Sequence, residues 1–346
     1  MKLSRQLGIG LLGPFFFFPI CELLVDRLNS IGEHGRYAYS PADVAPVWTT
    51  ITAIRTKKYR SLKEQRLLAS GHSPHREYHM PSYDLSDHDL LKREVKRLPL
   101  QAQVLFPIEA PFLESHGVSD SCSLWDIGCG DGSWLHLFRS AFPNSAITGL
   151  DRSPEILGCA RKQNPGARFL LVDEENISEV LLRGDFNVAI LRFALQHMSP
   201  GVRMGILSAL HSRKVPTRVI AIDGDDDSFV FRPTSDAIQA LLDAKGRKQA
   251  AQGGDRHIGS RLPELFSRHG FGSVRLDCIP IDSKAIGWDT WWSVIGPIIL
   301  SGADSAECGL VDKATAWFKQ NRENERAVMT GSFFMVSASN MVEDGL

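Results

Sequence analysis

The sequence predicts a doubly wound α/β fold, a mostly parallel sheet with helices on both faces, and three observations predict it. The first is Leu124-Trp-Asp-Ile-Gly-Cys-Gly-Asp-Gly-Ser-Trp134, in which a short apolar run meets three glycines at alternate positions and leaves with helical spacing. That order reads as strand, tight turn, helix. The second is a regular alternation of apolar runs with amphipathic segments from 123 to 223, the pattern of parallel βαβ units. The third is the acid that closes successive runs, at Asp151, Asp173 and Asp223. In a right-handed α/β sheet these ends share the edge where ligands bind.

Each element follows from its residues. Ser123–Ile127 is a strand and Ser133–Phe142 a helix. Ala146–Leu150 is a strand, and Ser153-Pro154 opens a helix with an N-cap and an N1 proline. Ala167–Val172 and Phe186–Leu191 are strands, and Ser199-Pro200 opens a helix that runs to about His211. Thr217–Ile222 is the fifth strand. Beyond Asp223 the spacing predicts helices at Ser235–Lys248, Gly259–His269, Ile286–Leu300 and Asp312–Asn321, with strands at Ser273–Ile281 and Thr330–Ala338. Two strands this late suggest a sheet finished by an antiparallel pair. Ahead of the glycines, Leu90, Leu91, Val95, Leu98, Gln101 and Leu105 fall at helical spacing. They predict a leading helix over 83–118.

Length and composition set the frame. The 346 residues suit one large domain with an appended region. A net charge of −1 gives no global electrostatic case for nucleic acid, which is not expected as a partner. The six cysteines show no metal-binding spacing and read as reduced thiols of a cytoplasmic protein. Residues 1–76 form an extension that the sequence leaves unassigned. Within it, 7–21 carry no charge but are interrupted by Pro14 and Pro19, and fall short of the roughly 20 apolar residues of a spanning helix. The expectation is a segment that packs on the domain or a partner, with membrane contact and a cleaved signal as the alternatives.

The chemistry gathers at the glycine turn. Glycine has no Cβ, so backbone N–H groups of Gly128, Gly130 and Gly132 can approach a nucleotide-like ligand. The G-x-G-x-G spacing departs from the dinucleotide fingerprint. Asp151, about 20 residues on, is placed to accept from both hydroxyls of a ribose. Asp173 sits where an acid could accept from an adenine amino group, and Asp126 would face a cationic end.

These residues resemble motif I of the class I S-adenosylmethionine-dependent methyltransferases. Leu191-Arg-Phe-Ala-Leu-Gln-His197 is similar to the segment after the fourth strand in that family. Tyr83 with Glu94, Arg97, Leu98 and Gln101, and Gly253–Gly259 followed by Arg261-Leu262, are similar to one small-molecule subgroup. The resemblance covers about 83–340. It implies a Rossmann-like seven-stranded sheet with the last strand antiparallel, in a domain at 77–346 with cap inserts at 228–262 and 282–326. It further implies S-adenosylmethionine as cofactor, cradled by Asp126, Gly128, Cys129 and Gly130. Asp151 with Arg152 would hold the ribose, Asp173 with Glu174 would lie near the adenine, and Arg192 and Phe193 would line the cleft where the methyl group emerges.

Methyl transfer is an in-line displacement that mainly needs positioning and exclusion of water. His197 is the candidate base for an acceptor that must lose a proton. Tyr83, Gln101, Trp288, Trp291 and Trp292 are the candidate acceptor contacts, and the tryptophans suggest an apolar or aromatic small molecule of secondary metabolism. The run Asp223-Gly-Asp-Asp-Asp227 reads as a solvated acidic loop, with no metal expected. The alternatives are a protein of this fold that catalyses a cyclisation or pericyclic step, and a non-enzymatic regulatory partner.

Overall fold

The five apolar runs that alternate with helices become five parallel strands, and all but the third, which lies at the sheet edge, are buried on both faces. In the computed structural model, which describes residues 88–303 and 308–340, these are β1 (Ser123–Ile127), β2 (Ala146–Asp151), β3 (Arg168–Leu171), β4 (Val188–Arg192) and β5 (Arg218–Gly224). Val188, Ile190, Ile220 and Ile222 enter the core on one side, while Ala189, Leu191, Val219 and Ala221 enter it on the other. A strand covered on both faces gains no water-facing positions, which is why these runs read as continuously apolar. The expectations for residues 1–76 and for Tyr83 lie outside the described residues.

Three more strands complete the sheet: β6 (Val230–Arg232), β7 (Gly272–Asp282) and β8 (Val328–Ser339). The parallel part runs β3-β2-β1-β4-β5. β8 then pairs antiparallel with β5 along one edge, Gly224 opposite Phe333, and with β7 along the other, Ile279 opposite Phe333. β6 sits on the β5 side of β8, with Val230 opposite Thr330, while Asp282 faces Thr330 from the β7 side. So β6 extends the row begun by β5, and the sheet is seven positions wide with β8 antiparallel to its neighbours. The expected finish is present, and the three-residue β6 is an addition the sequence did not signal.

One face carries α1 (His88–Ser115), α2 (Ser133–Ala141) and α3 (Pro154–Gln163). The other carries α4 (Ile177–Arg183), α5 (Pro200–His211) and α7 (Leu262–Arg268). The helices between β6 and β8 that join the first face are α6 (Asp236–Ala251), α9 (Trp288–Leu300) and α10 (Cys308–Asn321), with a single turn, α8 (Ser283–Ile286), ahead of α9. Ser153, Ser199 and Ser235 cap α3, α5 and α6, accepting from the N–H of Ile156, Val202 and Ile238. Gly259–Arg261 is a 3₁₀ turn that precedes α7 rather than its first turn. The strand order reverses at β1, whose neighbours are β2 and β4, and that is where an α/β sheet opens its ligand crevice. No helix among the described residues is long and apolar enough to cross a membrane.

Candidate active site

The ends of β1, β2, β3 and β4 open into a cavity of about 960 Å³ that α1, α6 and α9 cover. Its floor is the glycine turn. Gly128, Gly130 and Gly132 have φ of 85, 57 and 75°, values that L side chains avoid. At Gly128 a Cβ would lie 2.9 Å from the Ala194 side chain. The expectation about N–H donors needs correction. Gly128 N and Cys129 N both donate to Leu150 O, at 2.8 and 2.9 Å, and Gly130 N donates to Asp151 Oδ2 at 2.9 Å. These amides lock the turn onto β2, so what the turn offers a ligand is close approach rather than amide donors.

The acids around it stand in different states. Asp126 lines the cavity at 2% exposure, and its Oδ1 has no partner. Burial pushes its carboxyl up to about 7, against the pull of Arg192 and with the repulsion of Asp151 and Glu109. Asp151 is also raised by burial, opposed by hydrogen bonds from the N–H groups of Ser153, Gly130 and Arg152. Asp173 lines the rim, but its Oδ1 accepts from Glu175 N at 3.0 Å and Asn176 N at 2.9 Å, so it also braces the turn into α4. Glu174 stands beside it with Arg152 at 3.9 Å, both partly exposed on the same wall.

Arg192 and Phe193 stand at the end of β4 and line the cavity. Phe193 holds φ 52°, a conformation that costs about 1–3 kcal/mol and persists only where the surroundings fix it. Its N–H donates to Ile222 O at 2.7 Å, and its ring meets Phe333 at 4.7 Å. Arg192 Nε donates to the Glu109 carboxylate at 2.8 and 3.0 Å, while its Nη2 is buried without a partner. Glu109 is fully buried and accepts from Trp134 Nε1 at 2.9 Å. Glu109 carries no signal in the sequence, because it meets its partners across 25 and 83 residues.

Gln101 is buried in the wall. His197 lines the cavity too, but burial, then Arg256, Lys245, Arg97 and Arg152, lower its pKa well below the ordinary value. These surroundings disfavour the imidazolium that a base would have to become.

The tryptophans belong elsewhere. Trp291 is fully buried against Phe229 and Phe231, and Trp288 and Trp292 stack on Phe318 of α10. None of the three lines the cavity; α9 turns Ser293, Ile295 and Ile298 to it instead, with Ser301 at its C-terminal cap. Helical spacing shows that a face is apolar, and here that face packs against a neighbouring helix. Cys129 is buried in the turn with its thiol pKa raised by burial, which makes it an inert small residue there.

The acidic run is mostly compensated by protein cations rather than solvated. Asp226 binds Arg256 through two bonds, at 2.5 and 3.0 Å. Asp225, Asp227 and His257 cluster closely enough to hold a cation, but His257 already stands 3.3 Å from Asp225. Its pKa is raised chiefly by that hydrogen bond.

Residues 125–226 match the model of a methyltransferase domain family. Over that segment the chain is similar to a methyltransferase domain. Trans-aconitate 2-methyltransferase of Methylobacterium radiotolerans is 28% identical over 165 residues, 46% of this chain and 54% of that protein. An uncharacterized methyltransferase of Synechocystis is 26% identical over 168 residues, 47% of this chain and 73% of that protein. The chain thus spans about half the length of the first of these relatives. Among solved structures, the plantazolicin methyltransferase BamL, in complex with a triazolic desmethylPZN analogue and S-adenosylhomocysteine, aligns with a TM-score of 0.46 at 13% identity. That alignment covers 74% of this chain and 93% of that one. The domain's matched segment holds Asp126, the glycine turn, Asp151, Asp173 and Arg192, so every cofactor residue expected from the sequence falls inside it.

Proposed function

We propose that this chain binds S-adenosylmethionine at the ends of β1 to β4 and transfers its methyl group to a small molecule seated beneath α6 and α9. One observation carries the reading. Asp126 Oδ1 is a buried acceptor and Arg192 Nη2 a buried donor, both without partners, on adjacent strands at the cavity floor. Unpaired buried groups are costly, and an α-amino acid end supplies an ammonium for the first and a carboxylate for the second. Asp151 and Asp173 then stand at the ribose and adenine positions. When bound, S-adenosylmethionine would supply a sulfonium methyl group to a lone pair of the acceptor, the electrons of the broken carbon–sulfur bond staying on a neutral sulfur. The residues named here orient the sulfonium and exclude water.

The acceptor expected from the tryptophans, an apolar or aromatic molecule, keeps only part of its support. Phe193, Phe229, Ile295, Ile298 and Phe333 line an apolar wall, but Lys245, Arg97 and Arg256 line the wall beside it. Several relatives are named for trans-aconitate, which makes that compound the first acceptor to assay. The test is calorimetry with S-adenosylmethionine on the full chain, followed by transfer of a labelled methyl group. Wild type should bind, and Asp126→Asn should bind about tenfold or more weakly, as expected when a charged partner at about 1.5–3 kcal/mol is lost. No binding by wild type would sink the cofactor reading, and binding without label in any product would favour a non-methylating or regulatory role.

A further inference from the structure

We infer that the acceptor carries a carboxylate, which docks at Lys245 on the cavity wall where α6 meets the end of α9. Calling this anion the acceptor rests on the methyltransferase reading; the anion site itself does not.

The wall is rich in cations, and its acids are already engaged. Arg97 is bound by Glu94 through two bonds, at 2.5 and 2.9 Å. Arg256 is bound by Asp226 in the same way and also donates to Gln196. Lys245 differs. Its Nζ donates to Ser301 Oγ at 2.6 Å, and no carboxylate of the described residues lies within ion-pair distance of it. A hydroxyl satisfies one of the three ammonium donors and none of the charge. Both Lys245 and Ser301 line the cavity, so the remaining donors have access to a ligand.

The electrostatics agree with the geometry. Burial, then repulsion from Arg256, pushes the Lys245 amine down to about 7, with Arg97 adding to the push while Asp226 and Glu94 oppose it only in part. A cation held at such a cost is stabilised by any anion that reaches it. The shape of the donor pair indicates which anion. Ser301 Oγ spends its one hydrogen on Ile298 O at 2.9 Å, so the pair of hydrogens left on the ammonium are the donors, and the two oxygens of a carboxylate match them. Ile295, Ile298 and Phe229 line the adjoining wall, so the rest of the ligand meets apolar surface while its charged end meets Lys245. The cofactor's own carboxylate has a separate donor in Arg192, on the strand floor.

The test uses the full chain saturated with S-adenosylhomocysteine and titrated calorimetrically with benzoate, succinate and citrate, each beside its methyl ester. At least one acid should bind ten times more tightly than its own ester. Lys245→Met should erase that preference while leaving affinity for S-adenosylhomocysteine unchanged, and Lys245→Gln serves if the methionine variant is insoluble. The inference is overturned if no acid outperforms its ester, if the variant keeps the preference, or if the variant loses S-adenosylhomocysteine in the same proportion. Should wild type fail to bind S-adenosylhomocysteine yet still prefer an acid, the methyltransferase reading falls and the anion site stands.

Discussion

Asp126 shows how one buried carboxyl can report on the cofactor. Burial holds its pKa at about 7, above the roughly 3.9 of an unfolded aspartate. A raised acid contributes stability that is complete below about pH 4 and is lost as pH climbs toward 7. A cation set against Oδ1 favours the ionised form, so cofactor binding at or below neutrality must release a proton. Affinity for S-adenosylhomocysteine should therefore rise from about pH 5.5 to about pH 7, with a slope of up to tenfold per unit. In Asp126→Asn the rise should flatten. Calorimetry in buffers of different ionisation enthalpy counts the proton directly, and an equal slope in both proteins would place it on another group.

At the scale of elements, the turn between β1 and α2 makes a prediction with its own control. Gly132 and Gly166 share a left-handed backbone, with φ of 75 and 86°. A Cβ at Gly132 would lie 2.8 Å from Asn164 Nδ2 and 3.0 Å from the Ala160 side chain, whereas one at Gly166 would meet nothing within 4 Å. Gly166→Ala should cost about 1–2 kcal/mol from backbone strain alone. Gly132→Ala should cost at least about 1 kcal/mol more, because Asn164 also donates to Gly132 O at 3.0 Å and would have to move. Urea denaturation measures both, and equal losses would mean that the packing around α3 yields freely.

The same elements show what was legible in the sequence. β1, β2, β4 and β5 could be read because strands buried on both faces leave mostly apolar runs, and α3 and α5 because each announces itself with a serine cap followed by proline. Helix α4 escaped because its seven residues bury only Ile177 and Leu181, too few to show a period. Asp126, Asp151 and Arg192 could be located because their places follow from strand ends. Glu109 and Lys245 could not, since their roles depend on partners brought together by the tertiary fold. The tryptophans of α9 misled for a related reason: Trp288 and Trp292 meet Trp317 and Phe318 of α10, 26 to 30 residues further on, and Trp291 meets Phe229 and Phe231, some 60 residues before it.

For the whole molecule the leading helix decides whether the cavity has a wall, and α1 is tied down at two buried points. Where α1 ends, His116 bridges Ser337 of β8 and Asp277 of β7, at 2.6 and 2.5 Å. Further up, Glu109 joins α1 to α2 through Trp134 and to the floor through Arg192. The Arg192 side chain is 9% exposed and that of Glu109 1%, so removing one charge leaves the other buried and uncompensated. Glu109→Gln should cost about 3–5 kcal/mol of stability in denaturant unfolding of the full chain, the usual cost of breaking a buried pair from one side. The double variant Glu109→Gln with Arg192→Met should recover most of that loss, since no stranded charge remains. It should not recover cofactor affinity, because the donor at the floor is gone. A double variant as unstable as the single one would place the loss in the hydrogen bonds of Glu109 rather than in a stranded charge, whereas a single variant as stable as wild type would show that α1 is held by its apolar face alone, through Leu105, Phe106 and Leu113.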